Sequence, residues 1–310
     1  MRRLLTCLLL LAALGSADAE GELNPRRVSA HVWMLEGQSA LGSAANRNNI
    51  SNAGLINGPT GLVLVDALGS PALARELLAW IKTQDELRAK PLVAVILTHY
   101  HADHVYGLQV YKAAGARIIA QAKGREYLNS DTAAARLKVS IEQGLVEPGT
   151  QLVAADQWVE GETRLKLGGL DLHLIPLGPA HTPEDQGVYL AADKLLFAGD
   201  LVFRGRIPYV GQANSKHWVA ALDRLLTRPP AVIVPGHGPV STEALKDLLL
   251  TRDYLAYLRA TMGRAARDMQ PFDEAYAATD WSRYEGVPLF KAANRMNAFN
   301  TYLLMEHEGD

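Results

Sequence analysis

Cysteine is almost missing from this chain of 310 residues: the single copy, Cys7, sits in an apolar run near the N-terminus. With no second cysteine there is no intramolecular disulfide framework, and beyond that run no thiolate can serve as metal ligand or nucleophile. Long apolar runs are scarce as well. The one candidate, residues 4–14, covers about eleven positions where a bilayer-spanning helix needs about 20, which argues against a permanent anchor. Excess charge of either sign is lacking too. The 31 basic and 33 acidic residues leave a formal net charge of −2, without the basic footprint of a dedicated nucleic-acid binder. Composition is otherwise near the globular average, with 48% hydrophobic and 21% charged residues, which excludes a disordered or fibrous protein.

The first residues carry a pattern of their own. Met1-Arg2-Arg3, the apolar run and Ala17-Asp18-Ala19 match a charged region, a hydrophobic region and an Ala-x-Ala cleavage site. We expect a signal peptide over residues 1–19, Sec-type export, and a periplasmic or secreted mature protein with no membrane anchor after cleavage. Cys7 lies inside the apolar run rather than at a signal boundary, so a lipidated cysteine is not expected. The remaining length suits one large two-layered domain, set here at residues 20–245, with a helical C-terminal extension over 246–310 packed on it.

Along the chain, short β-rich segments come first: residues 28–35, 53–56 and 61–65, the last two joined by Asn57-Gly58-Pro59-Thr60, strong turn chemistry for an antiparallel hairpin. Residues 71–81 have helical spacing and open on Pro71. Residues 92–97 are a wholly apolar run, as in a strand buried on both faces. Helical spacing resumes over 103–114, a strand is expected at 117–120, and a helix at 123–129. Four short strands are expected at 163–167, 170–175, 187–190 and 195–198, a helix at 218–226 and a buried strand at 231–234. From residue 242 the pattern is mostly helical. β-runs followed by helices, twice over, predict two packed sheets flanked by helices.

The chemistry concentrates at strand ends. Thr98-His99-Tyr100-His101-Ala102-Asp103-His104 sets three imidazoles and a carboxylate together after a buried strand. Imidazole is the commonest ligand for borderline divalent metals, and clustered neutral imidazoles have little other purpose. His99 and His101, one residue apart in a loop, can point to one side, while Asp103 and His104 diverge toward a second point, which suggests two metals. Downstream, His181, Asp200 and His237 each follow an apolar run, the last two beside glycine. His31, His173, His217 and His307 stand alone and read as surface or core residues.

The HxHxDH segment, followed by His, Asp and His in that order after strands, resembles the metallo-β-lactamase superfamily. The resemblance spans roughly residues 28–240. It implies an α/β fold (α+β in some schemes), an αββα four-layer sandwich with the site along one sheet edge. It also implies two Zn²⁺ ions, with iron or manganese as alternatives. His99, His101 and His181 would take the first, Asp103, His104 and His237 the second, and Asp200 would bridge them. Asp66, at a strand end, is similar to the aspartate that supports the histidine loop from behind. The reaction implied is attack by a metal-bridging hydroxide on an ester-like, thioester, lactone or amide carbonyl of a small-molecule substrate, with Asp103 orienting it and moving its proton.

Within the superfamily the broad-spectrum β-lactamases carry a cysteine where Asp200 stands, which weighs against that activity. The all-His/Asp ligand set is similar to glyoxalase II thioesterases, lactonases and ribonuclease Z, although the basic surface expected of the last is missing. The signal peptide, residues 199–218 and residues 293–298 most resemble exported SoxH-like or quinoprotein-associated zinc metallohydrolases. A mononuclear-iron sulfur dioxygenase of the same fold is the alternative. Flavodiiron proteins would need a further domain and a carboxylate in place of His101. Residues 37–52, rich in Ala, Ser, Gly and Asn, read either as a mobile flap over the metals or as a solvated connection. Tyr100, Tyr106, Phe203, Tyr209 and Trp218 are candidates for the pocket wall, with the core as the other reading.

Overall fold

The computed structural model describes residues 23–308 apart from 212 and 228, so the expected signal peptide lies outside the described residues. The first sheet runs in sequence order: β1 (Pro25–Arg27), β2 (Val32–Leu35), β3 (Ala53–Asn57), β4 (Leu62–Val65), β5 (Leu92–Ile96), β6 (Arg117–Gln121) and β7 (Gln157–Val159). Pairing is antiparallel from β1 to β4 and parallel from β4 to β7. The expected hairpin joins β3 to β4. The second sheet has the order β12-β11-β10-β9-β8, built from β8 (Thr163–Leu167), β9 (Leu170–Pro176), β10 (Gln186–Leu190), β11 (Leu195–Phe203) and β12 (Val232–His237).

Alternation along the strands sorts side chains into three apolar layers. Val63, Val65, Ala94 and Ile96 of the first sheet meet Leu174, Val188, Leu195 and Phe197 of the second between the sheets. Leu62 and Leu64 point the other way, onto the helices α1 (Pro71–Thr83), α2 (Ala102–Val105) and α3 (Leu108–Ala113). The outer face of the second sheet is covered by α6 (Ser215–Leu226) and by the C-terminal helices α7 (Ala244–Arg267), α8 (Phe272–Ala278) and α9 (Phe290–Glu308). This is the expected αββα sandwich. Trp218 of α6 is fully buried there, its indole N–H donating to Leu201 O at 3.1 Å.

Local departures from the expected elements have physical causes. Residues 28–31 form a turn closed by Val28 N–H to Val32 O, so the first expected strand splits into β1 and β2. The helix expected over 103–114 breaks after Val105, because Ala67 N–H bonds to His104 O and Gly107 N–H bonds to Leu68 O, contacts that divert the groups a continuous helix would use. Between β6 and β7 lie α4 (Gly124–Leu128) and α5 (Asp131–Glu142). The second of these was not expected, although Ser130 caps it by accepting from Ala133 N–H at 3.1 Å.

The C-terminal helices also reach the segment that follows β11. Asn297 of α9 is fully buried. It accepts from Val210 N–H at 2.9 Å, and its amide donates to Pro208 O at 2.7 Å and to Tyr254 Oη at 3.0 Å. Replacing Asn297 with Ala strips those partners inside the protein and is expected to cost about 1–3 kcal/mol, read as a lowered urea midpoint at unchanged slope.

Candidate metal centre

The site forms where β5, β11 and β12 end on the same side of the sandwich. β5 delivers Thr98 and His99. A tight loop then sends His101 forward, and α2 turns Asp103 and His104 away from it. His181 arrives on the loop between β9 and β10. Asp200 and His237 were expected in loops past their strands, but β11 and β12 continue through both residues. The pairing of these strands shifts register at Gly199, whose φ is 54°, and this bulge turns the Asp200 carboxylate into the cluster. A β-carbon on Gly236 would come 2.1 Å from Asp200 Oδ1, so the close approach of β12 needs glycine there.

The seven expected residues converge in two groups, His99, His101, His181 and Asp200 in one, Asp103, His104 and His237 in the other, ligand atoms within 4.8 Å inside each. Asp200 faces both. Its Oδ2 lies 3.2 Å from His181 Nε2 and 3.8 Å from His99 Nε2, while Oδ1 lies 3.2 Å from His104 Nε2 and 3.4 Å from His237 Nε2. Asp103 Oδ2 stands 3.4 Å from His237 Nε2 and 3.6 Å from His104 Nε2. His101 Nδ1 is 3.0 Å from His181 Nε2. His31, His173, His217 and His307 belong to neither group.

Several of these atoms are buried without a hydrogen-bond partner: His99 Nε2, His104 Nε2 and Asp200 Oδ1. Native interiors rarely leave such groups unmet. Converging imidazole nitrogens and carboxylate oxygens left without partners are what divalent ions satisfy, so the donor set fits metal. The rear nitrogens are fixed as metal ligation requires. His104 Nδ1 lies 2.9 Å from Asp66 Oδ2, and His237 Nδ1 lies 2.7 Å from Ile50 O. Asp66 also accepts from Thr98 N–H at 2.8 Å and from its hydroxyl. It holds this position at φ 62°, a conformation that a side chain disfavours.

Burial and neighbouring charges pull the ionisable groups of the cluster in opposite directions. Burial drives His99 and His101 well below the usual histidine range. For His104 burial pulls the same way, but Asp103, Asp200 and Asp66 outweigh it and raise its pKa well above that range. His181 is likewise raised, its hydrogen bond to Asp200 overcoming burial. Asp200 itself is held well below the carboxylate range, because His237, His104 and His99 outweigh its burial.

Within residues 37–52 the second half is packed against the site, whereas Ser39, Leu41, Ala44 and Ala45 are exposed. Asn46, Asn48, Asn49, Ser51 and Asn52 are buried. Ser51 donates to Asp103 O, and Asn52 to Pro235 O at 2.8 Å and Gly238 O at 2.7 Å. Polar residues here tie the loop to two ligand-bearing segments. Among the aromatic candidates, Tyr100 and Tyr106 are core residues. Phe203 stacks on His237 with centroids 5.0 Å apart, and Trp218 meets His181 edge-on at 5.2 Å. Tyr209 faces open space beside the cluster. Sequence reasoning missed Arg206 and Arg136, which line that space too; lone arginines give no pattern by which to find them.

Removing the Asp66 carboxylate (Asp66→Ala) frees the His104 ring, and metal affinity is expected to fall about 10–100-fold in competition with a chelator. Unchanged affinity would mean that the 2.9 Å contact does not orient the ring.

A family model for the metallo-beta-lactamase superfamily matches residues 47–237. The "Metallo-beta-lactamase type 2" of Bacillus cereus is 26% identical over 240 residues, covering 76% of this chain and 83% of the relative. A linear primary-alkylsulfatase of Pseudomonas sp. (strain ATCC 19151) is 24% identical over 241 residues, 66% of this chain; the match spans only 45% of that enzyme. Among solved structures, a metallo-beta-lactamase from Pontibacter korlensis has a TM-score of 0.58 at 26% identity, covering 76% of this chain and 99% of the other. The sec-alkylsulfatase Pisa1 from Pseudomonas sp. reaches a TM-score of 0.72 at 19% identity, over 91% of this chain and 50% of the other, a likeness of fold. Matched through its ligand-bearing segments, and with a His/Asp cluster that fits metal, the chain belongs to the metallo-β-lactamase superfamily and is a metal-dependent hydrolase.

Proposed function

We propose that the mature protein is an exported two-metal hydrolase, zinc being the resident ion, that cleaves an ester-like, thioester, lactone or amide bond in a small molecule. The observation that carries this reading is the Asp200 carboxylate, with one oxygen toward His99 and His181 and the other toward His104 and His237. His99, His101 and His181 would hold one ion, Asp103, His104 and His237 the other, and Asp200 would join them. Ions so held supply Lewis acidity and lower the pKa of water toward neutrality. The chain's own residues do the rest. Asp103 and His101 are the partly exposed members of the cluster, so both face arriving substrate. The Asp103 carboxylate is the group placed to orient a water and to carry its proton toward the leaving group. Asp66 fixes the His104 ring, Ile50 the His237 ring and Thr98, its Oγ1 3.0 Å from His99 Nδ1, the His99 ring, and Phe203 and Trp218 wall the inner side against water.

The substrate is best found with a panel of β-lactams, thioesters, lactones, phosphodiesters and alkyl sulfates, the first and last prompted by the named relatives. His101→Ala and Asp103→Ala are each expected to abolish turnover of whichever class is accepted while the fold persists. Full activity in both variants would place the reaction elsewhere. Elemental analysis of protein purified from the periplasm should find about two zinc-class ions per chain. A single iron, with oxygen consumed in the presence of a persulfide, would instead support a sulfur dioxygenase.

Proton release gives a separate test. Because the pKa values of His104 and His181 are raised, both imidazoles keep their extra proton to higher pH than a free histidine does when no ion is bound. Metal binding needs them neutral, so zinc addition at pH 7 should release protons in a pH-stat, and affinity should fall as pH drops. Zinc uptake without proton release would contradict the ligand assignment.

A further inference from the structure

The imidazoles of the two groups are not backed alike. His104 and His237 each have a partner behind the ring, Asp66 Oδ2 at 2.9 Å and Ile50 O at 2.7 Å, and His99 has Thr98 Oγ1 at 3.0 Å. His181 Nδ1, by contrast, is buried without a hydrogen-bond partner among the described residues. Trp218 and Phe203 flank its ring edge-on, with centroids 5.2 Å and 5.9 Å away, and give it no hydrogen bond. Metal ligands are normally oriented by a partner on the rear nitrogen. Where that partner is missing, the backbone must fix the ring, so the loop from β9 to β10 has to hold His181 in place.

Three consecutive side chains at the end of that loop do so. Glu184, Asp185 and Gln186 are all buried, none more than 3% exposed. Asp185 Oδ2 accepts from Thr182 N–H at 2.7 Å and its Oδ1 from the Thr182 hydroxyl at 2.8 Å, so both carboxylate oxygens grip the residue next to His181. Glu184 Oε1 accepts from Tyr100 N–H at 3.1 Å, and Tyr100 stands between His99 and His101. Gln186 donates its side-chain amide to Leu97 O at 2.7 Å and its backbone N–H to Thr98 O at 3.0 Å. Burying such polar groups is costly unless hydrogen bonds offset it. Here every one of those bonds lands on a segment that bears a ligand of the first group.

We infer that Glu184 and Asp185, with Gln186 beside them, are the positioning residues of the first ion position, the one formed by His99, His101 and His181. They tie the His181 loop to the strand end that carries the other two histidines, and so set the spacing of the three imidazoles. Among the described residues none of the three hydrogen-bonds Asp103, His104 or His237. The second position, backed by Asp66 and Ile50, is therefore supported separately, and the two affinities can be altered one at a time. The grouping of three histidines on one ion rests on the two-metal reading above; the tether between the loops does not.

The test is cobalt(II) titration of the full chain, read by visible absorption and by competition with a chelator, with His181→Ala and His237→Ala identifying the bands of the first and second positions. Glu184→Ala and Asp185→Ala are each expected to weaken the first position about 10–100-fold and to leave the second unchanged. Asp185→Asn and Glu184→Gln keep an oxygen that accepts from the Thr182 and Tyr100 N–H groups, and should recover most of that affinity. Glu184→Ala leaves the Asp185 bonds to Thr182 in place, so it keeps the test decisive where Asp185→Ala fails to fold. Equal weakening of both positions, or a first position unchanged in both alanine variants, overturns the proposal. So does an amide variant no better than its alanine counterpart, since charge rather than placement would then be at work. If the chain takes up neither cobalt nor zinc, the hydrolase reading falls, and hydrogen exchange of the metal-free protein decides the tether. The Tyr100 and Thr182 amides are expected to lose protection in Glu184→Ala and Asp185→Ala respectively, and unchanged protection overturns it.

Discussion

The centre of this protein crowds imidazole nitrogens and carboxylate oxygens within 4.8 Å of one another in each group, and their lone pairs repel wherever neither a proton nor a cation lies between them. Such an arrangement cannot hold itself together without cations, so the frame must hold it. Three strand ends, a bulge at Gly199 and hydrogen bonds behind the rings do this. Asp66 is the tightest of these constraints, since one carboxylate fixes both Thr98 and His104 from a backbone conformation that costs free energy. The neighbouring apolar layers supply the stability that the cluster itself lacks.

The ligands were legible because they obey local rules. Histidines at one strand end, an aspartate between them and glycine beside Asp200 and His237 are patterns that a sequence displays directly. The two-sheet fold was equally visible in apolar runs of strand length. Other features depend on tertiary placement. The polar residues from Asn46 to Asn52 read as a solvated or mobile loop because polarity alone does not reveal that Asn52 bonds Pro235 and Gly238. Helix α5 escaped because its apolar face is weak, though Ser130 marked its start. Asp200 and His237 looked like loop residues because a bulge inside a strand has the same sequence appearance as its end.

The two arginines illustrate a different limit. Each is an ordinary residue in its own segment, one on a solvated helix and one in the Gly-rich stretch after β11. Both line the cleft only because α5 and that stretch face each other across it.

The bond from Asn297 to the segment after β11 also orders events in time. Every residue of the His/Asp cluster is synthesised by position 237, but α9, the helix that secures Pro208 and Val210, begins only at Phe290. A growing polypeptide thus completes its metal-binding residues well before it can finish the wall beside them, and the cleft gains its final shape only when the C-terminal helix docks.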